Sequence, residues 1–425
     1  GKKNELPSYL TSLNEIFSQR AEKLSSFLEA GSLSLSGRKL QAGNKAKFIQ
    51  ENYALLSAED KEKLSISIEL PFDGKLNRVS LNVDKERLFF PDNRFSASQL
   101  ETYFSCPFKH YVRYGLNIKD KKQKDFSPAD IGNICHKMAE IFVEKYANLL
   151  SARATDALKC EEEIKEFVSE HFDIVLSSLE LQEKLDECED KKQIKKYLKS
   201  YLVSFLKDVA RELSHSFLTP LAPEKAVSQI NLSSLSLKGR ADRVDAGKGY
   251  FKIVDYKTGK TKDILKELYY GNKLQLFLYA DAIEKETGLT AGGVFYFNAK
   301  FDYGSSEEDR KLLKGLARND ETFIPLLDYD IDAEGKSTIV SIEKSTNPKK
   351  GAYKGRAVAS EDFSLYQSYA LNVASRGLEE IKEGYIEPKP SLGACERCSY
   401  RGLCLYNSGN GERLTNGKVS FSEEK

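Results

Sequence analysis

The chain has 425 residues, of which 65 are basic and 64 acidic, giving a net charge of +1. That length allows two or three domains with a sizeable core, and 30% charged with 11% aromatic residues excludes a disordered chain. No run approaches a membrane span and no signal peptide is visible, so a cytoplasmic protein without a membrane partner is expected; a nucleic-acid partner would need a local basic patch.

The chain opens on Gly1 rather than Met, as a cloning scar or a fragment of a longer polypeptide would. Residues 1–65 read as helices: Leu10, Leu13, Ile16 and Phe17 recur at helical spacing, as do Leu24, Phe27 and Leu28, until Pro71 and Gly74 break the pattern. Ser96 and Gln99 form a capping box that starts the next helix. Pro107 ends it near Cys106 and starts another, which Gly115 ends. Gly132 to Leu150 is an amphipathic helix carrying His136. Residues 151–217 are helical and charge-laced, as in Glu161-Glu-Glu, and read as a solvated insertion.

The period then changes. Val227, Ile230 and Leu232 predict one strand; Leu235, Leu237 and Val244 predict a second, ending at Asp245. Ala246-Gly-Lys-Gly249 is a turn, and Tyr250 to Lys257 a third strand. A helix follows over Leu274–Ile283, then a strand at Gly293–Asn298. Residues 303–365 read as loop-rich, and a last helix over about Phe363–Lys382 leads through Pro388 and Pro390 to a cysteine cluster. The fold class is α/β.

The central signal is Gly239-Arg-Ala-Asp242, a turn, then Asp255-Tyr-Lys257-Thr-Gly259. With the turn at 246–249, residue 242 faces 253. Side chains alternate along a strand, so Asp242, Asp255 and Lys257 share one face. Two carboxylates there need a cation, or one stays protonated. Oxygen ligands suit Mg²⁺ or Mn²⁺, and a lysine beside such a metal can orient water or neutralise a phosphate. Ile253 and Val254 mark the strand as buried just before Asp255, unlike a surface hairpin. Glu224 reads as surface charge.

Seven cysteines stand at 106, 135, 160, 188, 395, 398 and 404, which fits a reducing cytosol better than a disulfide framework. Cys395-x2-Cys398-x5-Cys404 needs a fourth ligand, and Cys106 is the best placed. Four thiolates suit Zn²⁺ or a 4Fe-4S cluster alike. Cys135, Cys160 and Cys188 read as ordinary small side chains.

Gly132-x-x-x-His136, Gly239-Arg-Ala-Asp242, Val254-Asp-Tyr-Lys-Thr-Gly259 and Gln275-x-x-x-Tyr279 stand in the order of the RecB-type branch of the PD-(D/E)XK nucleases, which the chain resembles. The resemblance implies a restriction-endonuclease-like core, a mixed central sheet flanked by helices, that hydrolyses DNA. It implies metal binding by His136, Asp242, Asp255 and the Tyr256 carbonyl, a catalytic Lys257, and DNA contacts from Gln275 and Tyr279. It also implies that Cys106, in a Cys-Pro-Phe setting, joins Cys395, Cys398 and Cys404 on a 4Fe-4S cluster that staples the ends of the nuclease domain.

Ser96-Ala-Ser-Gln-Leu-Glu-Thr-Tyr, Tyr269-Tyr-Gly-x-x-Leu-Gln-Leu and Ala291-Gly-Gly-Val-Phe-Tyr-Phe narrow the resemblance to AddB-type nuclease domains of AddAB helicase–nucleases, over about residues 91–407. The implied partners are DNA and an AddA-type subunit, and the implied setting is double-strand-break resection. On this reading residues 1–90 are the tail of a helicase-like region and 91–425 the nuclease domain. Gly259-Lys-Thr and Gly335-Lys-Ser end like phosphate-binding loops, but Val254 and Asp330 stand where such a loop needs glycine, so no ATPase is expected in this chain. Two other readings are a non-catalytic DNA-binding scaffold and a stand-alone nuclease of CRISPR adaptation or replication processing.

Overall fold

A computed structural model describes residues 84–118, 125–150, 161–227, 230–259, 262–299, 311–347, 351–391, 393–396 and 398–404. The helices expected over 1–65, Cys160 and the side chain of Glu224 lie outside the described residues.

Helix α1 (Lys85–Phe89) and strand β1 (Arg94–Phe95) lead into α2 (Ala97–Ser105) and α3 (Pro107–His110), followed by a π-helical turn at Tyr111–Gly115. Ser96 caps α2 by accepting from the Gln99 N–H at 3.1 Å. The Gln99 side chain completes no capping box; it donates instead to the Phe89 carbonyl. The helical lobe comprises α4 (Pro128–Leu150), α5 (Glu161–Ser178), α6 (Gln182–Asp186) and α7 (Lys191–Ser214).

The sheet begins with β2 (Thr219–Val227). The short strands β3 (Asn231–Leu232) and β4 (Leu235–Leu237) pair with β1 in a separate sheet. The single strand expected over 227–232 is therefore corrected to the end of β2 followed by a small hairpin, turned at Ser233 and Ser234 with φ of 48° and 65°. Pro220 and Pro223 disguised β2 in the sequence. An edge strand such as β2 tolerates proline, because an N–H on its open side has no ladder partner to lose.

Next come β5 (Gly239–Gly247), β6 (Tyr250–Lys257), α8 (Ile264–Tyr269), α9 (Gln275–Thr287), β7 (Thr290–Asn298) and β8 (Leu313–Arg318). Two short helices, α10 (Phe323–Leu327) and α11 (Asp330–Glu334), precede β9 (Ile342–Lys344), β10 (Tyr353–Gly355) and β11 (Ala357–Val358). The chain closes with α12 (Ser360–Lys382) and α13 (Arg401–Cys404). The segment 303–365, expected to be loop-rich, thus supplies β8, an interior strand of the sheet. Lys314 and Gly315 break its apolar alternation and hid it.

The main sheet has the order β11-β8-β7-β6-β5-β2 and is mixed, with β6 and β7 parallel and β5 and β6 antiparallel. Phe251, Ile253 and Val294 pack on one face with α9 and α12, and Val254, Tyr256 and Phe295 pack on the other with α4, α5 and α7. Burial on both faces explains why Phe251, Ile253 and Val254 of β6 show no strict apolar–polar alternation.

The β5–β6 hairpin is tighter than expected. Gly247 pairs with Tyr250, so the turn is Lys248-Gly249, both at positive φ. Arg243 opposes Val254, and continuing that register sets Asp242 opposite Asp255 rather than Ile253. A shift of two residues preserves the face, so Asp242, Asp255 and Lys257 remain on one side.

Candidate active site at the sheet edge

Asp255 lies near the end of β6, and it is 3% exposed. Its Oδ1 accepts from Gln275 Nε2 at 3.2 Å, and its Oδ2 faces the Lys257 ammonium as an ion pair. Asp242, half-buried on β5, accepts from the Tyr256 backbone N–H at 2.9 Å, and His136 Nδ1 lies 3.1 Å from the same oxygen. The helical layer therefore reaches the hairpin through α4, and the opposite layer reaches it through α9. Four of the residues singled out in the sequence, with Gln275, meet at one sheet edge.

The electrostatics are those of crowded acids. Burial raises the Asp255 pKa, the Asp242 charge raises it further, and Lys257 and His136 pull it back. Burial opposes a charge on His136, but Asp242 and then Asp255 hold its pKa above the usual histidine value. Asp255 Oδ2 is buried with no donor in hydrogen-bonding geometry among the described residues. Two carboxylates and one imidazole gathered at one sheet edge fit a hard divalent cation. Among the described residues, the trio whose ligand atoms all lie within 4.8 Å is a different one, His215, Asp328 and Asp330. There every Asp328 oxygen is already engaged, by Ser337 Oγ, the Thr338 N–H and the Asp330 N–H.

Gln275 and Tyr279, one turn apart on α9, both turn inward. The Tyr279 ring is 5% exposed and covers Gly239, where a Cβ would come within 2.3 Å of the phenol oxygen. Burial pushes the Tyr279 hydroxyl up to about 12, partly offset by a hydrogen bond to the Arg240 backbone.

Sequence reasoning missed three supports. Glu101 accepts from the Leu274 and Gln275 N–H groups, capping α9 from outside its own sequence. Tyr296 pairs with Asp255 across the sheet, and Lys257 Nζ lies 5.8 Å from its ring. On the other face, Glu212 of α7 contacts both Arg243 and Lys252, all within 1% of full burial. Arg243 Nη1 then donates to the Tyr256 hydroxyl at 3.0 Å. The one available signal was that Arg243, Asp245 and Lys252 stand beside the apolar Val244, Ile253 and Val254.

The four cysteines expected to act together share a neighbourhood. Burial raises the Cys106 pKa, the Lys109 and Phe108 backbone bonds lower it, and Cys398 raises it. Burial raises Cys395, and Cys106, Cys398 and Cys404 raise it further. Ser391 N–H donates to the Ser105 carbonyl at 2.8 Å, drawing the C-terminal segment onto the end of α2. By contrast, Cys135 is fully buried, and Cys188 donates to the Lys184 carbonyl.

The profile of the PD-(D/E)XK nuclease superfamily matches residues 94–405, a span that contains every residue of the site. The chain belongs to that superfamily. Among curated relatives of this PD-(D/E)XK protein is the B subunit of the ATP-dependent helicase/deoxyribonuclease of Clostridium acetobutylicum, 30% identical over 376 residues, covering 78% of this chain and 32% of the relative. The protein of the same name from Clostridium kluyveri is 29% identical, covering 80% and 33%. That from Ruminiclostridium cellulolyticum is 27% identical, covering 85% and 34%. The chain thus spans about a third of the length of these relatives. Among the described residues no helix is long and apolar enough to cross a membrane.

Proposed function

We propose that this chain hydrolyses DNA phosphodiester bonds with Mg²⁺ or Mn²⁺, as the nuclease part of an AddB-type subunit. Its setting is cytoplasmic double-strand-break resection and recombinational repair beside an AddA-type helicase–nuclease. The observation that carries the reading is the meeting of His136, Asp242, Asp255, Lys257 and Gln275 at one sheet edge. The PD-(D/E)XK match and the helicase/deoxyribonuclease relatives support it. On this reading residues 91–425 form the nuclease domain and 1–90 the tail of a helicase-like region.

His136, Asp242, Asp255 and the Tyr256 carbonyl would hold the cation, which supplies Lewis-acid stabilisation of the phosphate. Lys257 neutralises charge on the scissile group and orients or helps deprotonate the attacking water. Gln275, partly exposed, fixes the Asp255 carboxylate through its 3.2 Å hydrogen bond and faces the DNA strand, while the buried Tyr279 backs the site from behind, packed over Gly239. Cys106, Cys395, Cys398 and Cys404 would hold a 4Fe-4S cluster, which supplies a structural closure; the Ser391–Ser105 hydrogen bond, which draws the C-terminal segment to the end of α2 beside Cys106, supports this.

The test is cleavage of end-labelled single-stranded and duplex DNA with and without Mg²⁺. The parent cuts and Asp255→Ala does not. A parent that binds DNA but never cuts it would instead favour the scaffold reading.

A further inference from the structure

A groove of about 270 Å³ opens beside the site, lined by Lys262, Lys311, Lys314 and Arg356 against the single carboxylate of Asp263. Four cations to one anion is a local excess in a chain of net charge +1. Asp263 is already engaged: Oδ1 accepts from the Leu265 and Lys266 N–H groups that open α8, and Oδ2 pairs with Arg356 at 3.1 Å. Lys311 is tied to the Ser337 carbonyl. Lys262 reaches Glu267 only at 3.6 Å and keeps its side chain 76% exposed. Lys314 is exposed on β8.

The sheet register joins this groove to the catalytic edge. Asp255 pairs with Tyr296, and Tyr296 pairs with Lys314. Directly paired residues share a face, so Lys314 stands two strands from Asp255, about 10 Å away on the same side. Lys262 stands five positions beyond Lys257, the last residue of β6.

We propose that this groove is a phosphate track: it holds the sugar–phosphate backbone of the DNA strand beyond the scissile bond, with Lys262 and Lys314 as its principal cations. This rests on the nuclease reading above. Ammonium groups without a base-reading partner bind backbone and not sequence, so the track is indifferent to sequence.

The experiment compares the parent, Lys262→Glu/Lys314→Glu and Lys192→Glu, an exposed change on α7 across the sheet. Affinity for a fluorescent single-stranded oligonucleotide is measured by anisotropy in EDTA over a salt series, and cleavage is followed with Mg²⁺. The double variant should bind at least about tenfold more weakly near 0.1 M salt. Its slope of log K against log salt should be shallower by about 0.7 for each phosphate no longer neutralised, and its cleavage defect should fall on KM. Lys192→Glu should match the parent. A folded double variant with parental affinity and salt slope, made from a parent that cuts DNA, overturns the track alone. A parent that neither binds nor cuts overturns the nuclease reading and the track together.

Discussion

Lys257 and Lys252 lie five positions apart on β6 and meet opposite environments. Lys257 is partly exposed and pairs with Asp255 at the sheet edge, so truncating it leaves the fold nearly untouched. Lys257→Ala should abolish cleavage while melting within a degree or two of the parent and retaining DNA binding; parental cleavage rates would remove it from the chemistry. Lys252 is fully buried against Glu212 and Asp245. Removing one member of a buried charge network leaves the others uncompensated, at a cost of about 3–5 kcal/mol. Lys252→Met should lower the urea midpoint accordingly, and a loss under about 1 kcal/mol would show that Arg243 alone satisfies both acids. The sequence displayed Lys257 through its spacing from Asp255. It could not display the role of Lys252, because its partner Glu212 is 40 positions away on a helix that reads as a solvated insertion.

At the scale of elements, strands with β-branched residues and tight turns were legible, as were helices with a cap or an apolar stripe. The elements that escaped, β2 and β8, owe their place to tertiary pairing: β2 survives its prolines as an edge strand, and β8 is held between β7 and β11. The docking of α7 was likewise invisible. At its C-terminal end His215 lies 2.9 Å from Asp330 and 3.7 Å from Asp328, and its ring stacks on Tyr329. Burial opposes the His215 charge, but the two aspartates more than offset it, so its native pKa is raised. A raised pKa means that the charged form favours the folded state. Its stabilisation is complete below the unfolded value near about 6.5 and fades as pH rises through the native value. His215→Gln should therefore cost about 1.5–3 kcal/mol near pH 6, and progressively less toward pH 9, in urea titrations. A cost that grows with pH would show that His215 is held neutral.

For the whole molecule, the pieces closest to the chemistry come from distant parts of the chain: His136 from α4, Asp242 and Asp255 from the hairpin, Gln275 from α9. The four cysteines bracket all of them. Cross-linking Cys106 to Cys395 closes a loop of about 290 residues, and such a closure stabilises by up to on the order of 5 kcal/mol through the unfolded chain. On the proposed cluster reading, anaerobically purified parent is brown and holds iron, and Cys106→Ala should lose both and melt several degrees lower. Zinc in place of iron in the parent would change the identity of the centre and leave the closure standing.

The two borders of this unit also grip one another without any metal. Lys85 donates to the Glu383 carbonyl at 2.8 Å, Lys382 meets Glu86 at 2.5 Å, and Ser391 bonds to Ser105. Considered as a machine part, such a unit is buckled at its rim. Tension applied across residues 84–404 should load these border contacts before it reaches β5 and β6. In an optical trap with handles at residues 84 and 404, stripping the metal of the proposed cysteine centre should lower the first rupture force, with the sheet yielding later as a separate step. A single rupture that is unchanged by metal removal would mean the load runs straight through β5 and β6.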